Sequence, residues 1–318
     1  MRGQGRFMIH NKSVLFLIIF YSFNLWAARF NSDGEIIYQN ALVSTKKLAC
    51  TEANSWDEVI AGQILNSLGK PIGKASIIYL GHEYFTDKNG VFEIESNLGN
   101  SPLLIKKAGY RKVLISPTCE SISIQLEPIA INSLYLPTAY LKNKNAVYAN
   151  AMNLIETTEV NALTIDVKND FGNLHLDLAP YVKELKSKGV YTIARIVVFK
   201  DNATVKAHPE FALINKVTGV PWKGSDGMTF IDPFNKSAWS YIIGIAQKAA
   251  LMGFDEIQFD YVRFPTDGNK ALVKWSGDYS DEGRTNAIAN FLALAQKTLS
   301  PLGVFIAADV FGISAFES

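Results

Sequence analysis

Three aspartates end apolar runs, where a carboxylate needs a partner or a use: Asp166 in the run 162–168, Asp260 in 254–265 and Asp309 in 304–311. Two carboxylates facing one another can hydrolyse a glycosidic bond. At ~5–5.5 Å one is the nucleophile and the other the acid/base; at ~6.5–9.5 Å a water fits between them and the reaction inverts. Such a pair must differ, one group protonated near neutral pH and the other ionised. Arg195 and Arg263 are the cations available to keep an anionic carboxylate ionised. On this reading Asp260, beside Arg263, is the nucleophile or base, Asp309 is the acid, and Asp166 helps to bind substrate. The alternative is that all three cap loops or pair with Arg and Lys, since perturbed carboxylates also occur in structural networks.

Each run reads as a strand, in which side chains alternate faces with a period of two. Gln258, Asp260 and Val262 then share one face, Thr164, Asp166 and Lys168 another, and Phe305, Ala307 and Asp309 a third. Strand patterns at 133–140, 162–168, 191–199, 256–264 and 304–311 alternate with helical ones near 145–158, 179–188, 236–252 and 284–299. That alternation predicts right-handed βα units around a parallel sheet. In a (β/α)8 TIM-type barrel the groups at C-terminal strand ends line the open mouth. About five of the eight βα units are read, so the expectation over 132–318 is a barrel truncated at its C-terminus. A complete open α/β sheet is the alternative. Tyr261, Phe264, Trp222 and Trp275 are expected in or beside the mouth, as platforms for sugar faces or as core. Asp232, in a turn-rich loop expected to cover the mouth, either binds a hydroxyl or caps the following helix.

Before Pro128 the pattern is all β, so the chain reads as multidomain. Seven short strands over 57–127, with Asp87-Lys88-Asn89-Gly90 as a hairpin turn, predict a small β-sandwich. His82-Glu83-Tyr84 within it reads as loop surface. Residues 1–28 join a basic start, an apolar run and small residues, the pattern of an export signal, so a periplasmic or extracellular location is expected. An uncleaved anchor is the alternative, but the run falls short of the ~20 residues of a spanning helix. Residues 29–56 read as a linker, and Cys50 and Cys119 as a candidate disulfide. The four histidines and two cysteines have no metal-site spacing, so neither a metal nor another cofactor is expected. A net charge of +1 gives no footprint for nucleic acid.

Two resemblances follow from motifs. G-Q-I-L-N-S-L-G-K-P-I, T-D-K-N-G-V-F-E-I and I-K-K-A-G-Y-R-K resemble the carboxypeptidase-regulatory-like β-sandwich, which accompanies secreted enzymes as a spacer or contact domain. T-I-D-V-K-N-D-F-G, A-R-I-V-V-F-K-D, I-D-P-F-N, F-D-E-I-Q-F-D-Y-V-R-F-P and A-A-D-V-F-G, over 132–316, resemble a bacterial glycoside-hydrolase family distantly similar to α-amylase-type barrels. That resemblance implies an Asp nucleophile at the fourth strand's end, which falls on Asp260. It implies a Glu acid at the fifth, where this chain has Asp309. The expected activity is hydrolysis of a polysaccharide or oligosaccharide, with Arg195, Arg263, Tyr261, Asp232 and Trp222 around the carboxylates. A sugar-binding or envelope scaffold without turnover is the alternative. A Ser-His-Asp hydrolase lacks its G-x-S-x-G elbow.

Overall fold

The computed structural model describes residues 59–95, 101–116 and 121–310. The expected export signal, the linker and the Cys50–Cys119 pair lie outside the described residues.

The β-rich part contains β1 (Val59–Asn66), β2 (Ser76–Tyr79), β3 (His82–Phe85), β4 (Val91–Glu95), β5 (Leu103–Lys106), β6 (Val113–Ile115) and β7 (Ser121–Leu126). They form two sheets, ordered β4-β1-β7 and β3-β2-β5-β6. Alternation on β1 and β4 turns Ile60, Ile64, Phe92 and Ile94 inward, where they meet Ile77, Tyr79, Leu103 and Ile105 of the other sheet in one core. His82-Glu83-Tyr84 is strand rather than loop. Leu80 and Gly81, both at positive φ (50° and 78°), turn the chain so tightly that His82 pairs with Tyr79.

The second part opens with β8 (Ser133–Leu136), α1 (Thr138–Asn143), α2 (Ala146–Thr157), β9 (Ala162–Lys168), α3 (Ala179–Ser187), β10 (Tyr191–Val197) and α4 (Asn202–Ala207). It continues with β11 (Ile214–Asn215), α5 (Lys236–Leu251), β12 (Glu256–Asp260), β13 (Val273–Lys274), α6 (Asp281–Leu299) and β14 (Phe305–Ala308). Five strands pair in parallel in the order β14-β12-β10-β9-β8, the order of the chain itself. This order has no reversal of the kind that places helices on both faces of a doubly wound sheet. Leu163, Ile165, Ala194, Ile196, Ile257 and Phe259 accordingly share one core with Val182 and Leu185 of α3, Ile242 and Ala246 of α5, and Phe291 of α6. Thr164, Asp166, Arg195, Gln258 and Asp260 alternate with those residues and occupy the opposite face. β11 and β13 pair as a short antiparallel clip over Leu213, Trp222, Phe230 and Val273.

Two strands stop earlier than expected. β12 ends at Asp260 because Tyr261 enters the left-handed region at φ 49°, and β14 ends at Ala308. Asp260 is therefore the last residue of its strand and Asp309 the first beyond its own.

Candidate active site

Arg195 organises the C-terminal ends of the strands. In register it stands opposite Asp166 of β9 on one side and Gln258 of β12 on the other. Its Nη1 donates to Asp166 Oδ1 at 2.7 Å and its Nη2 to Asp170 Oδ1 at 2.8 Å. Nε, at 2.8 Å, and Nη2, at 2.5 Å, both donate to Asp260 Oδ2. One rigid fork thus joins three carboxylates, as a lysine's point charge could not. Burial works against the guanidinium's charge, but Asp166, Asp170 and Asp260 outweigh it and hold Arg195 above its ordinary value.

The outer carboxylate of this set is also the most enclosed. Asp166 is 5% exposed, and its Oδ2 accepts a 2.5 Å hydrogen bond from the hydroxyl of Tyr135 on β8. Burial, then the hydrogen bond to Asp166, then the Asp166 charge push the Tyr135 hydroxyl up to about 12. The Arg195 guanidinium lies 5.7 Å from the same ring.

Lys168, expected on the Asp166 face, leaves it. A bulge between Arg195 and Ile196 sets Lys168 opposite Ile196, breaking the period of two. Its Nζ donates to Val197 O at 2.6 Å and lies 2.6 Å from Asp201 Oδ2, both side chains being fully buried. Desolvation lowers the lysine's proton affinity, and Asp201 opposes that. The same Asp201 caps α4 by accepting from Thr204 N, so the pair ties β9 to the loop beyond β10.

Asp260 and Asp309 sit in unlike surroundings. Asp260 has Arg195 on Oδ2 and the Tyr261 amide on Oδ1, at 2.6 Å. Tyr261 holds its left-handed backbone with its ring between Lys200 Nζ, 4.8 Å from the centroid, and the Arg263 guanidinium at 5.0 Å. Arg263 also donates to Phe264 O and Thr266 Oγ1. Of the two arginines named from the sequence, Arg195 of the neighbouring strand donates to Asp260 Oδ2. Asp309 is exposed and accepts from Gln258 Nε2 at 2.8 Å. Gln258 Oε1 is buried without a hydrogen-bond partner.

Two residues expected at the mouth are built into other structures. Trp222 is 3% exposed, packs on Phe230 in the core of the clip and donates its indole N–H to Asn269 O. Asp232 is 4% exposed, and its Oδ1 accepts from Phe234 N in the turn before α5. Burial raises its proton affinity against a Ser276 hydrogen bond. The cap of α5 is Asn235, which accepts from Ser237 N and Ala238 N. Tyr135, Asp170 and Gln258 carry the network without having been singled out. Asp170 did have a signal, since Asn169-Asp170-Phe171-Gly172 is turn-forming sequence directly after a strand, where site groups gather. Among the described residues no three His, Cys, Asp or Glu side chains are grouped to hold a metal ion. The three aspartates around Arg195 converge on a guanidinium instead.

Comparison with known proteins adds the family. No curated protein matches the chain. Among solved structures it is similar to a hypothetical protein from Ruminiclostridium thermocellum ATCC 27405, at 31% identity over 57% of this chain and 98% of that one, TM-score 0.46. It is also similar to the maltogenic α-amylase AmyB from Thermotoga neapolitana, at 14% identity over 59% of this chain and 47% of that one, TM-score 0.41. A third likeness is to the glycoside hydrolase domain of PelA from Pseudomonas aeruginosa, at 13% identity over 57% and 59% of the two chains, TM-score 0.37. The chain thus spans less than two thirds of the second and third structures. Residues 133–318, more than half of the chain, match the DUF4015 family, described as "Putative glycosyl hydrolase domain", and the chain belongs to that family.

Proposed function

We propose that this protein is an exported glycoside hydrolase that cleaves a polysaccharide or a cell-envelope glycan with Asp260 as nucleophile or base and Asp309 as acid. The observation that carries the reading is the contrast between these carboxylates: Asp260 is held by Arg195 and an amide, while Asp309 is exposed and touches a neutral amide. Paired strands running in the same direction support the pairing. Phe259 stands opposite Ala308, and extending that register by one residue would bring Asp309 beside Asp260, which supports the pairing. Neighbouring strands lie ~4.8 Å apart, closer to the ~5–5.5 Å of a retaining pair than to the wider inverting separation. The sheet is read as an arc of a (β/α)8 barrel, because its strand order is sequential and its helices lie on one face. The export reading rests on the basic and apolar pattern of residues 1–28.

A second reading is a carbohydrate-binding protein without turnover. It is favoured by the saturation of Asp260, whose two oxygens already accept three hydrogen bonds from Arg195 and Tyr261. The two readings separate on a glycan panel presented to the full chain and to Asp260→Asn. Release of reducing ends by the parent alone supports the hydrolase. Binding by both proteins with release by neither supports the binding protein and ends the hydrolase reading.

A further inference from the structure

The two strands that carry Asp260 and Asp309 at their C-terminal ends are gripped at their other ends by the β-rich part. Lys106, the last residue of β5, is 4% exposed, and its Nζ donates to Ser300 Oγ at 2.7 Å and to Val304 O at 2.6 Å, directly before β14. Lys112, 6% exposed and just ahead of β6, donates to Asp255 O at 2.9 Å, directly before β12. Phe305, the first residue of β14, lies between them, its ring centroid 5.6 Å from Lys106 Nζ and 5.0 Å from Lys112 Nζ. Glu83 of β3 closes the set, accepting from Ser76 Oγ and Ser300 Oγ and lying 4.0 Å from Lys106. The approach is close enough that a Cβ on Gly303 would come within 2.7 Å of Leu104 Cδ2.

Buried lysines placed on backbone carbonyls fix a position that apolar packing alone leaves free to slide, because each carbonyl must meet its donor or lie unpaired away from water. Here the carbonyls belong to the chain entering β12 and β14, and the two strands are joined at this level by Phe305 N donating to Asp255 O at 3.0 Å. We propose that Lys106 and Lys112 form a clamp through which the β-rich part sets the relative position of β12 and β14. The β-rich part is then a working piece of the site's frame. Its consequence for the separation of Asp260 and Asp309 rests on the hydrolase reading above; the clamp itself does not.

The clamp carries its own pH signature. The charges facing it are Glu83 of β3 on Lys106, and Asp255, Lys186 of α3 and Glu256 of β12 on Lys112, with Tyr191 of β10 hydrogen-bonded to Glu256 and Arg111 lining the cavity beside Lys112. Desolvation lowers Lys106 to about 7 and Lys112 to about 8, against the attraction of Glu83 and Asp255. A lysine lowered in the fold binds fewer protons there than in the unfolded chain. Its contribution to stability therefore grows as pH rises above those values and shrinks as pH falls back toward 7.

The test uses the full chain and Lys106→Met/Lys112→Met, which keeps two unbranched side chains and removes both amino-group donors, with no glycan present. Backbone hydrogen exchange at Phe305 and Asp309, whose amides bond β14 to Asp255 and Phe259, should speed at least tenfold in the variant, while Ala194 and Ile196 amides stay protected. Unchanged exchange at Phe305 and Asp309 would overturn the clamp. Should the variant fail to fold, the singly changed Lys106→Met and Lys112→Met chains are melted with the parent from pH 7 to pH 9. The parent's melting temperature should gain several degrees over the singly changed chains across that interval. A constant difference would equally overturn the proposal. Neither readout involves turnover, so a failed glycan assay and a failed clamp are told apart.

Discussion

Arg195 is the residue on which the candidate site depends most. It neutralises part of a group of three carboxylates, two of them largely withdrawn from water, with side-chain exposures of 7% for Asp166 and 20% for Asp260. Replacing it with methionine leaves that group facing itself, and removing one partner of an enclosed ion pair costs about 3 kcal/mol. Urea unfolding of Arg195→Met should show a loss of that size at neutral pH, and an unchanged midpoint would count against the network. Tyr135 gives a second prediction. Its hydroxyl is partly desolvated and is held on Asp166, so the phenolate signal lost in Tyr135→Phe should centre near pH 12, not near the ordinary 10.0. A folded value above the unfolded one means that the contribution of the protonated hydroxyl to stability, set by its desolvation and its bond to Asp166, is present below about pH 10 and fades as pH passes 12. An ultraviolet titration checks it, and an ordinary midpoint would place the hydroxyl away from Asp166. At this scale Asp166, Arg195 and Asp260 were legible because charges inside apolar strands stand out. Tyr135 was not, because its partner lies 31 residues away on a neighbouring strand. Which of Arg195 and Arg263 meets Asp260 was not legible, because cross-strand register decides it and one sequence does not carry that register.

Among the elements, the loop after β9 decides whether Asp170 reaches Arg195. Asn169 Oδ1 accepts from Phe171 N and Asn173 N, and Gly172 sits at φ +83°. A Cβ there would fall 1.9 Å from Asp201 Oδ1, the oxygen that caps α4. Gly172→Ala therefore meets both a strained backbone and a blocked neighbour, and should destabilise by about 2 kcal/mol. A shift of the urea midpoint with an unchanged slope would establish this as a loss of native stability. The strand and helix periods placed the sheet and its helices because burial enforces both periods. The bulge beside Lys168 and the early end of β12 at Tyr261 escaped that reading: both are breaks in a period, set by a buried ion pair and a left-handed residue.

At the scale of the whole chain, a β-rich part and a parallel α/β part each have their own core. Buried lysines of the first end on the carbonyls from which two strands of the second begin. The change from close-spaced strands to strand-helix alternation near residue 130 marked two architectures in the sequence. The contact between them was illegible, since Lys106 and Lys112 lie in ordinary strand-edge sequence, and their acceptors are main-chain atoms that carry no residue signature. No helix among the described residues is long and apolar enough to cross a membrane. The family, the parallel sheet and the aspartates at its strand ends are the support for the proposed carbohydrate reaction at that end of the sheet. The most direct measurement of that claim is the turnover of the parent and of Asp260→Asn on whichever glycan the parent hydrolyses, with both melting curves recorded. The account predicts a loss of at least about a thousandfold in kcat, as for removal of a group that acts on the reacting atoms, with a melting transition close to the parent's. Turnover in Asp260→Asn within a few fold of the parent's would remove Asp260 from the chemistry and contradict the account.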